Sequence, residues 1–100
     1  MIDLQEPPFY EKTINYDENK HIKICLTVHT FKGVEWLSIR KYYQDFDEEW
    51  KPGNEGITMP LDLDNAREMF LGLVEILSLA ESKTILEQEF KEILDKIYLN

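Results

Sequence analysis

The chain has 100 residues, 43% of them hydrophobic, and a formal net charge of −9. That is enough apolar material for one small core, so wholesale disorder is excluded, and the acidic sum opposes a general nucleic-acid surface, whose affinity comes from phosphate contacts. No apolar run reaches the roughly 18 residues a membrane helix needs, and the start MIDLQEPP is unlike a signal peptide; a soluble intracellular protein, cytoplasmic or nuclear, is the expectation.

Charge is unevenly spread. Residues 1–20 carry five acids and two bases, and residues 61–100 carry nine acids and four bases. Between them, residues 21–44 hold Lys23, Lys32, Arg40 and Lys41 against Glu35 alone. The middle is locally basic between acidic ends. Cys25 is the single cysteine, which excludes an internal disulfide. With His21 and His29 it lacks zinc-ligand spacing, so neither a metal nor a cofactor is expected.

In chain order, residues 1–19 read as an N-terminal arm with a weak strand at Phe9 to Asn15, closed by a turn at Asp17-Glu18-Asn19. Residues 20–31 alternate as a strand. Ile22, Ile24, Leu26 and Val28 fall on one face; His21, Lys23, Cys25, Thr27, His29 and Phe31 fall on the other. Lys32-Gly33 sits where a two-residue hairpin turn belongs. Cross-strand partners then sum to 65, so Leu26 meets Ile39 and Val28 meets Leu37, and the apolar faces agree. On the opposite, solvent-facing side this register gathers Phe31, Trp36, Tyr42, Lys23 and Arg40. Rings interleaved with cations are what a single-strand stacking platform requires, with bases on the rings and phosphates on the cations.

Beyond this hairpin, Gln44 to Glu49 reads as a solvated acidic loop without calcium-loop spacing. Trp50-Lys51 begins a short strand, Lys51 to Gly56 reads as a turn, and Ile57-Thr58-Met59 returns as the last strand. From Pro60 the period becomes helical. Asp62 or Asp64 caps a helix whose stripe contains Ala66, Met69, Phe70, Leu73, Val74, Leu77 and Ala80, with Leu71, Ile76 and Leu79 widening it beyond what one sheet face covers. Thr84 with Glu87 reads as a capping box for a second amphipathic helix carrying Leu86, Phe90, Ile93, Leu94 and Ile97. The domain expectation is a sheet-and-helix domain over 20–81, with residues 82–100 an added helix packed on it.

Three elements in register, Phe31-Lys32-Gly33, Ile39-Arg40-Lys41-Tyr42-Tyr43 and Lys51-Pro52-Gly53-Asn54-Glu55-Gly56-Ile57, resemble the single-stranded-DNA-binding domain of the transcriptional coactivator family of human positive cofactor four. The resemblance covers roughly residues 21–80. It implies an α+β fold: a curved four-stranded antiparallel sheet backed by a long helix, in a homodimer whose helices meet through Met69, Phe70, Leu73, Val74 and Leu77. It implies single-stranded DNA as partner, with RNA and a transcription-machinery protein as further candidates. Carried over by position, Phe31, Lys32, Arg40, Tyr43 and Lys51 face the DNA; Trp36 and Lys23 join them from the strand pattern, and Lys41 as a cation that restores one lost elsewhere. Val34, Asn54 and Glu55 stand where the family is basic, Lys41 stands where it is acidic, and Tyr43 replaces a tryptophan.

Three function classes follow. The first is non-catalytic single-stranded DNA binding of low sequence specificity in transcription or replication. The second is an acidic protein-interaction module that keeps the fold and has lost DNA binding. An enzyme comes last, because no nucleophile, base or metal constellation is visible. For Arg40 and Lys23 two roles stay open, phosphate contact or ordinary solvated strand position, and for Trp36 and Phe31 likewise two, stacking or cover by the N-terminal strand or the second helix.

Overall fold

The computed structural model describes residues 8–98. The chain order is β1 (Tyr10–Asp17), β2 (Ile22–Phe31), β3 (Val34–Gln44), β4 (Trp50–Pro60), α1 (Leu63–Ser78) and α2 (Lys83–Tyr98). The four strands form one antiparallel sheet in the order β1-β2-β3-β4. The chain divides into two units, the sheet up to Asp62 and the helices from Leu63 onward. The arm expected before the first strand lies almost wholly outside the described residues.

The hairpin register is the one that period-two alternation requires. Leu26 pairs with Ile39, Val28 with Leu37, His29 with Trp36 and Cys25 with Arg40. Lys32 and Gly33 both have positive φ, 52° and 76°. That is the primed turn geometry whose twist matches a right-twisted strand pair. A Cβ on Gly33 would meet nothing within 4 Å, so the backbone angle, not space, calls for glycine here.

The stretch Lys51 to Gly56 corrects the sequence expectation. It is not a turn: β4 runs unbroken from Trp50 to Pro60 through it. Pairing with β3 is irregular between Arg40 and Tyr42, where Gly53, Asn54 and Glu55 of β4 oppose Lys41 alone. Proline and glycine, the usual residues of turns, here build a bulge on an edge strand, which is one of the few places a sheet tolerates proline. The fourth strand of the sheet is therefore β1, which pairs with β2 and has its own register shift at Thr13/Asn15.

The acidic loop is a tight hairpin connection organised by Asp45. Its carboxylate accepts from the amides of Asp47 (2.9 Å) and Glu49 (3.0 Å), and its own amide donates to the Glu49 carbonyl (2.9 Å). An aspartate that bonds amides two and four residues on replaces backbone turn bonds.

In the helical unit, Ser82 caps α2, its Oγ accepting from the Ile85 amide at 3.3 Å. The cap thus sits two residues before the expected Thr84. Phe70 of α1 and Phe90 of α2 meet with ring centroids 5.8 Å apart. No residue of either helix is buried.

Candidate nucleic-acid interface

Strand parity puts Lys23, Cys25, Thr27, His29 and Phe31 of β2 on one face with Trp36, Ser38, Arg40 and Tyr42 of β3. The sequence expectation made this the solvent side, and the structure corrects it. Cys25, Thr27 and Ser38 have no exposed surface, His29 has 5%, Tyr42 7% and Arg40 8%. The opposite, aliphatic face is the more open one at several positions: Ile22, Ile24, Leu26 and Ile39 are only half-buried and Ile57 is 63% exposed. Parity assigns side chains to faces but carries no information about curvature, and these neighbours crowd one another as on the inside of a bend.

Contacts across the strands show how that floor is closed. Ser38 Oγ and Thr58 Oγ1 are 2.9 Å apart, and Thr13 Oγ1 lies 3.6 Å from Cys25 Sγ. Tyr16 of β1 and Trp50 of β4 belong to opposite edges of the sheet. Their rings nevertheless meet edge to face at 6.0 Å between centroids. Three strand spacings of about 4.8 Å would separate those edges by about 14 Å in a flat sheet. The Lys23 ammonium sits over the Trp50 ring at 4.7 Å and over the Tyr42 ring at 5.8 Å. Burial holds the Tyr42 phenol above its usual range and the charge of Glu11 adds to this, while Arg40 pulls the other way.

Arg40 lies along β4. Its Nη1 donates to the Gly53 carbonyl at 3.3 Å and its Nη2 to Thr58 Oγ1 at 3.0 Å. Both acceptors are neutral, so neither brings a counter-charge to the guanidinium. The bulge glycines make room for this. A Cβ on Gly56 would stand 2.9 Å from Arg40 Cζ and 2.9 Å from the Ile39 carbonyl oxygen; one on Gly53 would stand 2.9 Å from the Lys41 carbonyl oxygen. Thr27 Oγ1, His29 Nδ1, Trp36 Nε1 and Arg40 Nε are buried on this same face with no hydrogen-bond partner among the described residues. Such unspent polar capacity is uncommon in a folded interior.

The eight expected binding residues therefore divide. Lys23, Phe31, Trp36 and Arg40 share the polar face, and Lys32 joins them at the turn, its ammonium 5.3 Å from the Phe31 ring centroid. Lys41, Tyr43 and Lys51 share the opposite face, where Tyr43 pairs directly with Lys51. Lys41 is bound to Glu55 at 3.4 Å and Lys51 to Glu49 at 3.0 Å. The hydrogen bond and charge of Glu49 raise the Lys51 amino group above the ordinary lysine value. Tyr16 and Trp50 were not among the expected residues. Pairing Gln44 with Trp50 across the acidic loop would have placed Trp50 beside Tyr42. Of the expected helix-face residues, Phe70 (58%), Leu73 (53%) and Leu77 (42%) are exposed, and Met69 and Val74 are half-buried.

Among the described residues no group of three histidine, cysteine, aspartate or glutamate side chains is placed to hold a metal ion. No helix among them is long and apolar enough to cross a membrane.

A family model described as Transcriptional Coactivator p15 (PC4) matches residues 17–66. Among solved structures the chain is similar to the bacteriophage T5 homolog of the eukaryotic transcription coactivator PC4, a protein implicated in recombination-dependent DNA replication. The two are 26% identical with a TM-score of 0.65, and the match covers 83% of this chain and 94% of that one. No curated protein sequence matches significantly.

Proposed function

Because the chain belongs to the transcriptional coactivator p15 (PC4) family, we propose that it is a non-catalytic single-stranded-DNA-binding protein acting in transcription or replication as a homodimer. The likeness to a phage protein implicated in DNA replication supports the replication side of that reading. The observation that carries the proposal is a single sheet face that gathers rings and cations together, from Lys32 and Phe31 through Trp36 and Arg40 to Lys23. Stacking on Phe31 and Trp36 holds the bases and Lys32 takes phosphate. Arg40, fixed along β4 by neutral acceptors, supplies positive potential from within the floor rather than a reaching side chain. Lys41, Tyr43 and Lys51 act from the other face, and more weakly, because both lysines already have a carboxylate. The net negative charge opposes loose binding to duplex while this face stays locally positive.

The homodimer reading rests on α1 and α2. A helical pair with no buried residue and exposed Phe70, Leu73 and Leu77 requires a covering surface, and a second copy offers the matching one.

Fluorescence anisotropy with labelled single-stranded and duplex DNA of about 20 nucleotides tests the proposal. Preference for the single strand is expected, with a salt slope of about −0.7 for each phosphate neutralised. Lys32→Ala lowers that slope, and Trp36→Ala weakens binding with little change in slope. Absence of binding at tens of micromolar protein and low salt overturns the reading. It leaves the interaction-module alternative, which the ion-paired state of Lys41 and Lys51 favours.

A further inference from the structure

We infer that Tyr16 and Trp50, with Lys23 against the Trp50 ring, form a second base-stacking station at the far end of the polar face from Phe31. The inference rests on the single-strand reading above and extends it to residues outside the family-like motif elements. Three observations carry it. The two rings meet across the sheet at 6.0 Å, although they come from opposite edge strands. Tyr16 is 57% exposed, so its ring is available to a ligand instead of being consumed by the core. A cation stands against one of these two rings, with Lys23 Nζ 4.7 Å from the Trp50 centroid.

The arrangement repeats that at the turn, where Lys32 lies over Phe31. At each end of the face an ammonium rests on an aromatic ring. A cation over a ring is a weak, exchangeable contact of about 0.5–1 kcal/mol where exposed. A base stacking on a ring contributes more than this. An arriving nucleotide therefore displaces the ammonium from the ring face, and the ammonium turns to the phosphate of the same nucleotide. Lys23 and Phe31 are eight residues apart on β2, about 26 Å at about 3.3 Å per residue. A strand of about eight nucleotides at a stacked rise of about 3.4 Å covers that span. Shorter strands reach only one station.

The test uses the full chain with 5-fluorotryptophan at both tryptophans, Trp36 and Trp50, whose two ¹⁹F resonances are assigned with Trp36→Phe. Oligothymidine of about twelve nucleotides should shift the Trp50 resonance at the concentration where anisotropy reports binding. Trp50→Leu should weaken that strand about tenfold while weakening a strand of about four nucleotides, which still binds at the turn, by no more than about twofold. The retained short-strand affinity shows that the variant is folded. Lys23→Met should lower the salt slope for the long strand more than for the short one. Binding of the long strand with an unmoved Trp50 resonance, or an equal Trp50→Leu loss at both lengths, overturns the second station and leaves the first reading intact. No binding by any strand overturns both.

Discussion

The sheet and the helical hairpin solve the burial problem in opposite ways. Residues of the sheet bury each other: Cys25, Thr27 and Ser38 reach zero exposure using only short polar side chains. The two helices carry a wide apolar stripe and bury none of it completely. Local order follows the same division. The sheet's geometry is written into hydrogen-bond ladders, a primed turn and a bulge. The helices are held by caps and by surface pairs such as Lys91–Asp95, of a kind that contributes little. One unit is closed by its own contacts, whereas the other leaves its apolar stripe open.

The sharpest way to break that contrast is to charge the helical face. Leu73→Lys should change a dimeric mass to a monomeric one in light scattering and lower the Tm by on the order of 10 °C. A sheet whose near-ultraviolet signal around Trp36 and Trp50 persists after this change would confirm its independence. Loss of both units together would show that they share one fate.

Gly56→Ala probes the sheet alone and should have the next largest effect. The added methyl meets Arg40 Cζ and the Ile39 carbonyl oxygen, each at 2.9 Å. Strain of about 1–3 kcal/mol is expected in urea unfolding. Adding Arg40→Ala to Gly56→Ala should relieve part of it, because one of the two clashing groups is then gone. Simple additivity of the two changes would refute a contact between them.

The smallest effect concerns pH. The Tyr42 proton is held more tightly in the folded state, since its value is raised above 10.0 mainly by burial. The folded form therefore binds more protons than the unfolded form once pH exceeds that value. Stability is unaffected below it and falls as pH rises through and beyond it. Absorbance at 295 nm should show a tyrosine titrating late and in step with loss of the sheet. Tyr42→Phe should remove that late step.

How far these features could be read in advance differs between the same regions. Alternation in residues 22–31 and a Lys-Gly turn were enough for the hairpin register, because a one-residue slip would exchange the two faces throughout. What alternation could not convey was which face bends inward, so Arg40 and Tyr42 were expected in solvent and lie in the floor. Lys51 to Gly56 misled for a different reason. Its proline and glycines are turn residues by composition, yet here they serve close approach: Gly53 to the Lys41 carbonyl and Gly56 to the Arg40 guanidinium. Distinguishing the two uses required the partner strand. The Tyr16–Trp50 contact was hidden because it joins strands that are never neighbours in the ladder.

The bulges at Thr13/Asn15 and at Gly53–Glu55 lie on the two edges of the sheet, and β4 carries Pro52 besides. An edge that is kinked, or that lacks a donor, is a poor template for another strand. Copies of this protein are thereby discouraged from adding to one another strand by strand. Strand-by-strand growth is thus disfavoured at both edges, which leaves the exposed Phe70, Leu73 and Leu77 of the helices as the apolar surface available to the homodimer proposed above.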